Sequence, residues 1–162
     1  MPFSLLQLSH SELEDLADSR VPMRLGQRIE LGALPPAFVA AGSLQLHASG
    51  HPEPWSTSFL IVRDQDDRIV GACGFKTPPE NGCVEIGYGV SEAARDQGAA
   101  TKAVALLVAK AFSAGATSVL AEILPDNHAS AKVVQRNGFV DTGARNDKTG
   151  EYVVQWVRRS GA

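Results

Sequence analysis

Cysteine is scarce in this chain, with only Cys73 and Cys83 among 162 residues. Two thiols cannot build a structural zinc site alone, and their spacing is not that of a redox Cys-x-x-Cys pair. Both are expected to be small, buried apolar side chains in a reducing compartment. Runs of lysine or arginine are also missing, and the formal net charge is −3. Non-specific nucleic-acid binding, which depends on neutralising phosphates, is therefore excluded as a default. The opening MPFSLLQLSHSELEDLAD has no basic stretch before its short apolar run and turns acidic quickly, unlike a signal peptide. The longest apolar run, AVALLVAKAF, is cut by Lys110 and is too short to span a bilayer. These absences predict a cytoplasmic protein without a membrane partner. Internal repeats, linkers and low-complexity segments are absent too. What remains is a soluble composition, 44% hydrophobic and 20% charged, and a length suited to one domain over residues 1–162.

The chain reads as strand, helices, three-strand meander, helix, strand, helix and hairpin. Phe3 to Leu8 is a candidate strand, and Ser9 with Glu12 forms a capping-box pattern before a helix. Five prolines punctuate residues 20–57, which predicts short helices and loops, with one helix near AFVAAGSLQL. STSFLIVRDQ, RIVGACGFK and CVEIGYGV then read as successive strands. GAATKAVALLVAKAFSAG is amphipathic, with Val104, Leu107, Val108, Ala111 and Phe112 on one face and Gly115 at its end. TSVLAEILP is a strand, and NHASAKVVQRNG is a helix opened by Asn127 and closed by Gly138. FVDTGAR and EYVVQWVRR form a hairpin in which Tyr152, Val154 and Trp156 share one face, expected to be core. The fold class is mixed α/β (α+β), with antiparallel and parallel strands in one sheet.

Three stretches could carry chemistry. In VSEAARDQGAATKA a strand-like ending leads into a helix through Gly98, Ala99 and Ala100. A helix start offers unpartnered N–H groups and a positive dipole end, and small residues let an anion approach them. A tight strand-to-helix connection that merely needs a glycine is the other reading. The Gly-Lys-Ser/Thr of a nucleoside-triphosphate loop is missing, since Thr101 precedes Lys102, and so is the dinucleotide pattern G-x-G-x-x-G. In CVEIGYGV, alternation puts Val84, Ile86, Tyr88 and Val90 on one face and Glu85, Gly87 and Gly89 on the other. The second face is a slot with an acid at one end, unless the glycines mark a bulge that shifts it. In NHASAKVVQRNGF, Asn127 can cap a helix whose first turn holds Ser130.

Together these stretches resemble the GNAT superfamily of acetyl-CoA-dependent N-acetyltransferases. Arg95-Asp96-Gln97-Gly98-Ala99-Ala100 satisfies the family's R/Q-x-x-G-x-G/A motif. Asn127, Ser130, Val133, Gly138 and Phe139 match the N-x-x-S-x-x-V-x-x-x-x-G-F pattern of the branch that acetylates ribosomal-protein N-termini. VEIGYGV looks like that branch's glutamate-bearing fourth strand. The likeness covers about residues 56–158.

The resemblance implies a fourth and fifth strand that splay apart, and acetyl-CoA as cosubstrate. The turn Gln97, Gly98, Ala99, Ala100 and Thr101, together with Arg95, would hold its pyrophosphate. Its pantetheine arm would lie near Tyr88, Gly89 and Val90, with Asn127 reaching the cofactor. Glu85 is the implied base, acting through water and helped by a pKa raised by burial. The Val90 N–H is the implied oxyanion donor. Val134 stands where many members carry a tyrosine acid, which leaves Ser130 to donate a proton or a hydrogen bond to the departing thiolate. The implied partners are acetyl-CoA and an amine acceptor, with the chain a monomer or homodimer and no metal. A coenzyme-A-binding sensor with the same fold is the alternative. His47 and His51 lack acidic or cysteine partners and read as solvated loop residues. Trp55 either packs in the core or, with residues 20–57, walls the acceptor pocket. A peptide N-terminus, amino acid, polyamine or aminoglycoside would all suit the chemistry, the branch resemblance favouring a protein N-terminus.

Overall fold

Ser9 shows how local sequence sets the first boundary. In the computed structural model, which describes residues 2–161, strand β1 (Phe3–Gln7) ends just before it and helix α1 (His10–Ala17) begins just after. The Ser9 hydroxyl accepts the Glu12 N–H at 3.2 Å, and the Glu12 carboxylate accepts the Ser9 N–H at 2.8 Å. Two helix-start donors are thereby satisfied by a reciprocal box.

Beyond a single tight turn at Met23–Leu25, the proline-rich segment yields one long helix, α2 (Ala37–Ala48), opened by Pro36. Leu8, Leu13, Leu16, Leu25 and Ala40 pack with Leu60, Val62 and Ile69. The segment thus covers one face of the β1–β3 half of the sheet.

The remaining elements are β2 (Ser58–Arg63), β3 (Arg68–Phe75), β4 (Cys83–Val90), α3 (Ala99–Ser113), β5 (Ser118–Ile123), α4 (His128–Arg136), β6 (Val140–Asn146) and β7 (Tyr152–Arg159). They form a seven-stranded sheet in the order β1-β2-β3-β4-β5-β7-β6. Every neighbouring pair is antiparallel except β4 and β5, which are parallel. The crossover between those two is α3, whose Val104, Leu107 and Ala111 are fully buried against the sheet. They join Ile61, Val84, Ile86, Val119 and Val134 in the larger core. Burying a side chain such as Leu107 contributes about 1.5–3 kcal/mol.

Three expectations need correction. Tyr152 is 58% exposed, while Val154 and Trp156 of the same face do pack in the core. The cause is reach: Tyr152 pairs with Asn146 of β6, whereas β5 begins to pair with β7 only at Val154. Cys83 is half-buried rather than buried like Cys73. His47 lies in the last turn of α2, not in a loop, and its ring meets that of His10 at a tilt, centroids 4.8 Å apart. Trp55 is core, packed edge-on to Phe75 at 4.9 Å. Among the described residues no helix is long and apolar enough to cross a membrane.

Candidate active site

β4 keeps one continuous register with β3, from Ile86 opposite Phe75 to Val90 opposite Gly71. No bulge interrupts this stretch, so the expected alternation holds: Val84 and Ile86 are buried in the core, and Tyr88 and Val90 pack against it. Glu85, Gly87 and Gly89 take the other face. The Lys76 N–H donates to the Glu85 carbonyl at 2.7 Å, and the Ser91 N–H donates to the Val70 carbonyl at 2.7 Å. Peptide groups alternate direction along an antiparallel ladder, so those of 85, 87, 89 and 91 turn toward β3. Those of Ile86, Tyr88 and Val90 turn toward β5.

Beside them, β5 has gone. Its pairing with β4 runs only from Cys83–Ser118 to Glu85–Leu120, while β5 continues to Ile123 alongside β7. The sheet opens into a wedge whose vertex is Glu85. One wall is the unpaired edge of Ile86–Val90, with backbone donors and acceptors facing the gap. Such an edge pairs readily with an extended, amide-bearing ligand.

At the open end of the wedge the chain leaves β4 and makes a tight connection. Asp96 (φ +63°) and Gly98 (φ +87°) are both left-handed, and Gly98 is the N-cap of α3. Having no side chain, Gly98 offers no cap, and the first helical hydrogen bond is Lys102 N–H to the Gly98 carbonyl at 3.1 Å. Among the described residues no acceptor meets the N–H groups of Ala99, Ala100 or Thr101, leaving them and the helix dipole for an anion. A Cβ at Gly98 would meet nothing within 4 Å. Glycine serves here for its backbone angle and for an unobstructed approach.

Glu85 itself is half-buried, with 17% of its side chain exposed, and Lys76 Nζ lies 3.5 Å from its carboxylate. Burial raises its pKa above the ordinary value; Lys76 pulls against this, and Glu122 adds to the rise. The carboxyl faces a cavity of about 490 Å³ lined by Lys76, Glu122, Arg145, Lys148 and Glu151 among others. None of residues 20–57 lines it, so that segment does not wall this pocket. The glycine slot is half as open as its sequence suggested. A Cβ at Gly89 would meet nothing within 4 Å, but one at Gly87 would meet Lys76 Cε at 2.9 Å.

Ser130 stands on the opposite face, in the first turn of α4, which packs through Val134 into the core under α3. Tyr88 reaches it across the wedge, its hydroxyl donating to the Ser130 carbonyl at 3.3 Å. Burial pushes the Tyr88 phenol up, against a smaller opposing pull from Ser130, so it stays a neutral donor. Asn127 caps α4, its side-chain oxygen accepting the Ser130 N–H at 3.1 Å. Its amide nitrogen is what it has left for a ligand. Arg95 is exposed beside the turn. The side-chain oxygen of Gln97 accepts from Arg63 Nη1 at 2.8 Å, which leaves its amide nitrogen and its backbone N–H without a partner among the described residues.

Residues 29–140 match the family described as Acetyltransferase (GNAT) domain. The chain belongs to this acetyltransferase family. It is 34% identical over 102 residues to the uncharacterized N-acetyltransferase YjdG of Bacillus subtilis, a match spanning 62% of this chain and 58% of that protein. The ribosomal-protein-S5-alanine acetyltransferase of Vibrio fischeri superposes with TM-score 0.67 at 19% identity, over 98% of this chain and 93% of that one. RimJ of Mycobacterium smegmatis in complex with CoA-disulfide gives TM-score 0.69 at 16% identity, over 98% and 82%. At these identities the two structures establish a common fold.

Within the GNAT frame, sequence reading missed the residues that reach the site from elsewhere. Lys76 comes from the end of β3, Glu122 from β5, Arg63 from β2 and Asn137 from the end of α4. Asn137 Nδ2 donates to the Thr101 carbonyl at 3.1 Å and the Val133 carbonyl at 2.9 Å, tying α4 to the first turn of α3. Its place beside Gly138 and Phe139 in the helix-ending motif was the available signal. The other three carried no local signal.

Proposed function

We propose that this GNAT protein transfers the acetyl group of acetyl-CoA to a primary amine, a protein N-terminus or a small amine, by direct attack. One arrangement carries the reading: uncapped helix N–H groups at Ala99–Thr101 lie at the mouth of a wedge whose vertex is a half-buried carboxylate. The turn suits a pyrophosphate, since it needs no lysine to grip an anion that is not transferred. The backbone edge at Tyr88 and Val90 suits the amides of a pantetheine arm, with Gly89 leaving room beside it. The RimJ neighbour, solved with CoA-disulfide, supports the same use of the fold.

The faces divide the chemistry. An amine entering through the cavity approaches the wedge from the side of Glu85, which takes its proton, directly or through water. A carboxylate whose pKa is raised by burial is a stronger base than an exposed one. The Val90 N–H, on the unpaired edge, donates to the carbonyl oxygen as charge builds on it. Ser130, on the far face, meets the departing thiolate with its hydroxyl. Attack from one face and departure toward the other matches a base and a donor on opposite sides of the sheet. Val134, fully buried in the core, cannot supply the tyrosine acid found elsewhere in the family.

The test is release of CoA from acetyl-CoA against a panel of amines and peptide N-termini, beside Glu85→Gln. Amine-dependent turnover that the variant loses supports the reading. Binding of acetyl-CoA without turnover of any amine would favour a sensor.

A further inference from the structure

A turn that keeps its N–H groups free for an anion cannot use them to hold itself in place. In residues 96–101 this problem is acute. Asp96 and Gly98 are left-handed, a conformation that costs a non-glycine residue about 1 kcal/mol or more. No N–H between Asp96 and Thr101 has an acceptor among the described residues. Two tethers remain. Asn137 holds the Thr101 carbonyl from behind. In front, Arg63 Nη1 donates to the Gln97 side-chain oxygen at 2.8 Å, across 34 residues of sequence.

Arg63 is itself built in. Its side chain is 12% exposed, and its Nε and Nη2 hold Asp66 at 3.0 and 2.8 Å, with Glu30 at 3.7 Å. Arg68 pairs with the same Glu30 at 3.0 Å, and Arg28 pairs with Asp67. Cations and carboxylates balance in this network, so it brings little net charge to the turn. Its role there is geometric: it fixes a guanidinium at the end of β2 with Nη1 aimed at Gln97. A rigid planar donor held through Nε and Nη2 by Asp66 serves this better than a lysine would.

We propose that Arg63 is the positioning residue of the anion turn, setting the N–H groups of 97–101 through Gln97 without touching the ligand. The proposal rests on the reading of that turn as a pyrophosphate site. Its signature is selective: losing Arg63 weakens the hold on the pyrophosphate end of the cosubstrate and leaves the pantetheine end alone.

The experiment is calorimetric binding of CoA and of pantetheine, which lacks the pyrophosphate, to the wild type, Arg63→Met, Arg63→Lys, Gln97→Ala and the Arg63→Met/Gln97→Ala double variant. Thermal melting of each confirms that it folds. Loss of a charge-assisted hydrogen bond predicts CoA binding weakened about tenfold in Arg63→Met, with pantetheine binding unchanged. Gln97→Ala, which leaves the Arg63 network intact, gives the same loss, and the double variant is no worse than either single one. Arg63→Lys does not rescue. Equal weakening of both ligands, additive losses, or Gln97→Ala binding CoA like the wild type would each overturn the proposal. A wild type that binds CoA no more tightly than pantetheine would overturn the pyrophosphate reading, and the proposal with it.

Discussion

Gly71 and Gly89 lie on adjacent strands, one residue out of step, and the structure gives them opposite tasks. A Cβ built on Gly71 runs into the Gly89 carbonyl oxygen well inside contact distance, and meets Ile61 Cδ1 and Val90 Cα at 3.1 Å. Two of these neighbours are backbone of β4, so Gly71→Ala can be accommodated only by moving the strand. Overpacking of this kind costs about 1–3 kcal/mol, against about 0.4–1 kcal/mol returned by the stiffer unfolded chain. The net expectation is a loss of about 1–2 kcal/mol. Gly89→Ala puts the same methyl where nothing lies within 4 Å, at a φ outside the left-handed region. Its stability should hold or rise by up to about 1 kcal/mol. Since that empty space is the proposed slot beside the pantetheine arm, the stable variant should lose function, with kcat/KM for acetyl-CoA down at least about tenfold. Urea denaturation with a common m-value measures the first quantity, and CoA release the second. Gly89→Ala destabilised as much as Gly71→Ala would refute the packing argument. Gly89→Ala stable and fully active would refute the slot.

Further outcomes rest on titrating groups. Because burial raises the Glu85 pKa, kcat/KM should climb with pH through a value above the ordinary carboxylate range, and Glu85→Gln should remove that limb along with about 10²-fold or more of the rate. The same raised pKa means that the folded state favours the protonated form, so the contribution of Glu85 to stability is lost as pH rises through its folded value. Glu85→Gln is therefore expected to melt no lower than the wild type at neutral pH, and a clear drop in Tm would recast Glu85 as structural. Glu12 behaves oppositely. Burial works against its ionised form, but hydrogen bonds from Ser9 and Arg24 outweigh it and hold the pKa below the ordinary value. Its stabilisation is present above the unfolded pKa and lost as pH falls through the folded one. Stability measured from pH 6 to pH 3 should fall less steeply in Glu12→Gln than in the wild type, and parallel curves would remove Glu12 from the acid response.

Much of this was legible locally. Ser9 with Glu12 announced a capping box, and Asn127 a cap. The period-2 pattern of CVEIGYGV placed Glu85 on the face opposite the core. Each depends on neighbours within a few positions, where backbone geometry dictates which side chains meet. Legibility failed where contacts come from afar. That Lys76 lies over Gly87 follows from β3 ending beside β4, which alternation within β4 cannot report. The Arg63–Gln97 bond joins elements that only the folded sheet brings together. Tyr152 was assigned to the right face, but a period says nothing about where the neighbouring strand stops. Helix α2 was legible in AFVAAGSLQL despite the surrounding prolines, whereas its packing on α1 was not.

A crystal structure of the chain with CoA is the most direct measurement of the central claim. The account predicts pyrophosphate oxygens within hydrogen-bond distance of the N–H groups of Ala99–Thr101, the pantetheine amides paired to the edge of β4 at Tyr88–Val90, and the sulfur directed into the wedge toward Glu85. CoA bound on the other side of the sheet, or with its phosphates away from the start of α3, would contradict it.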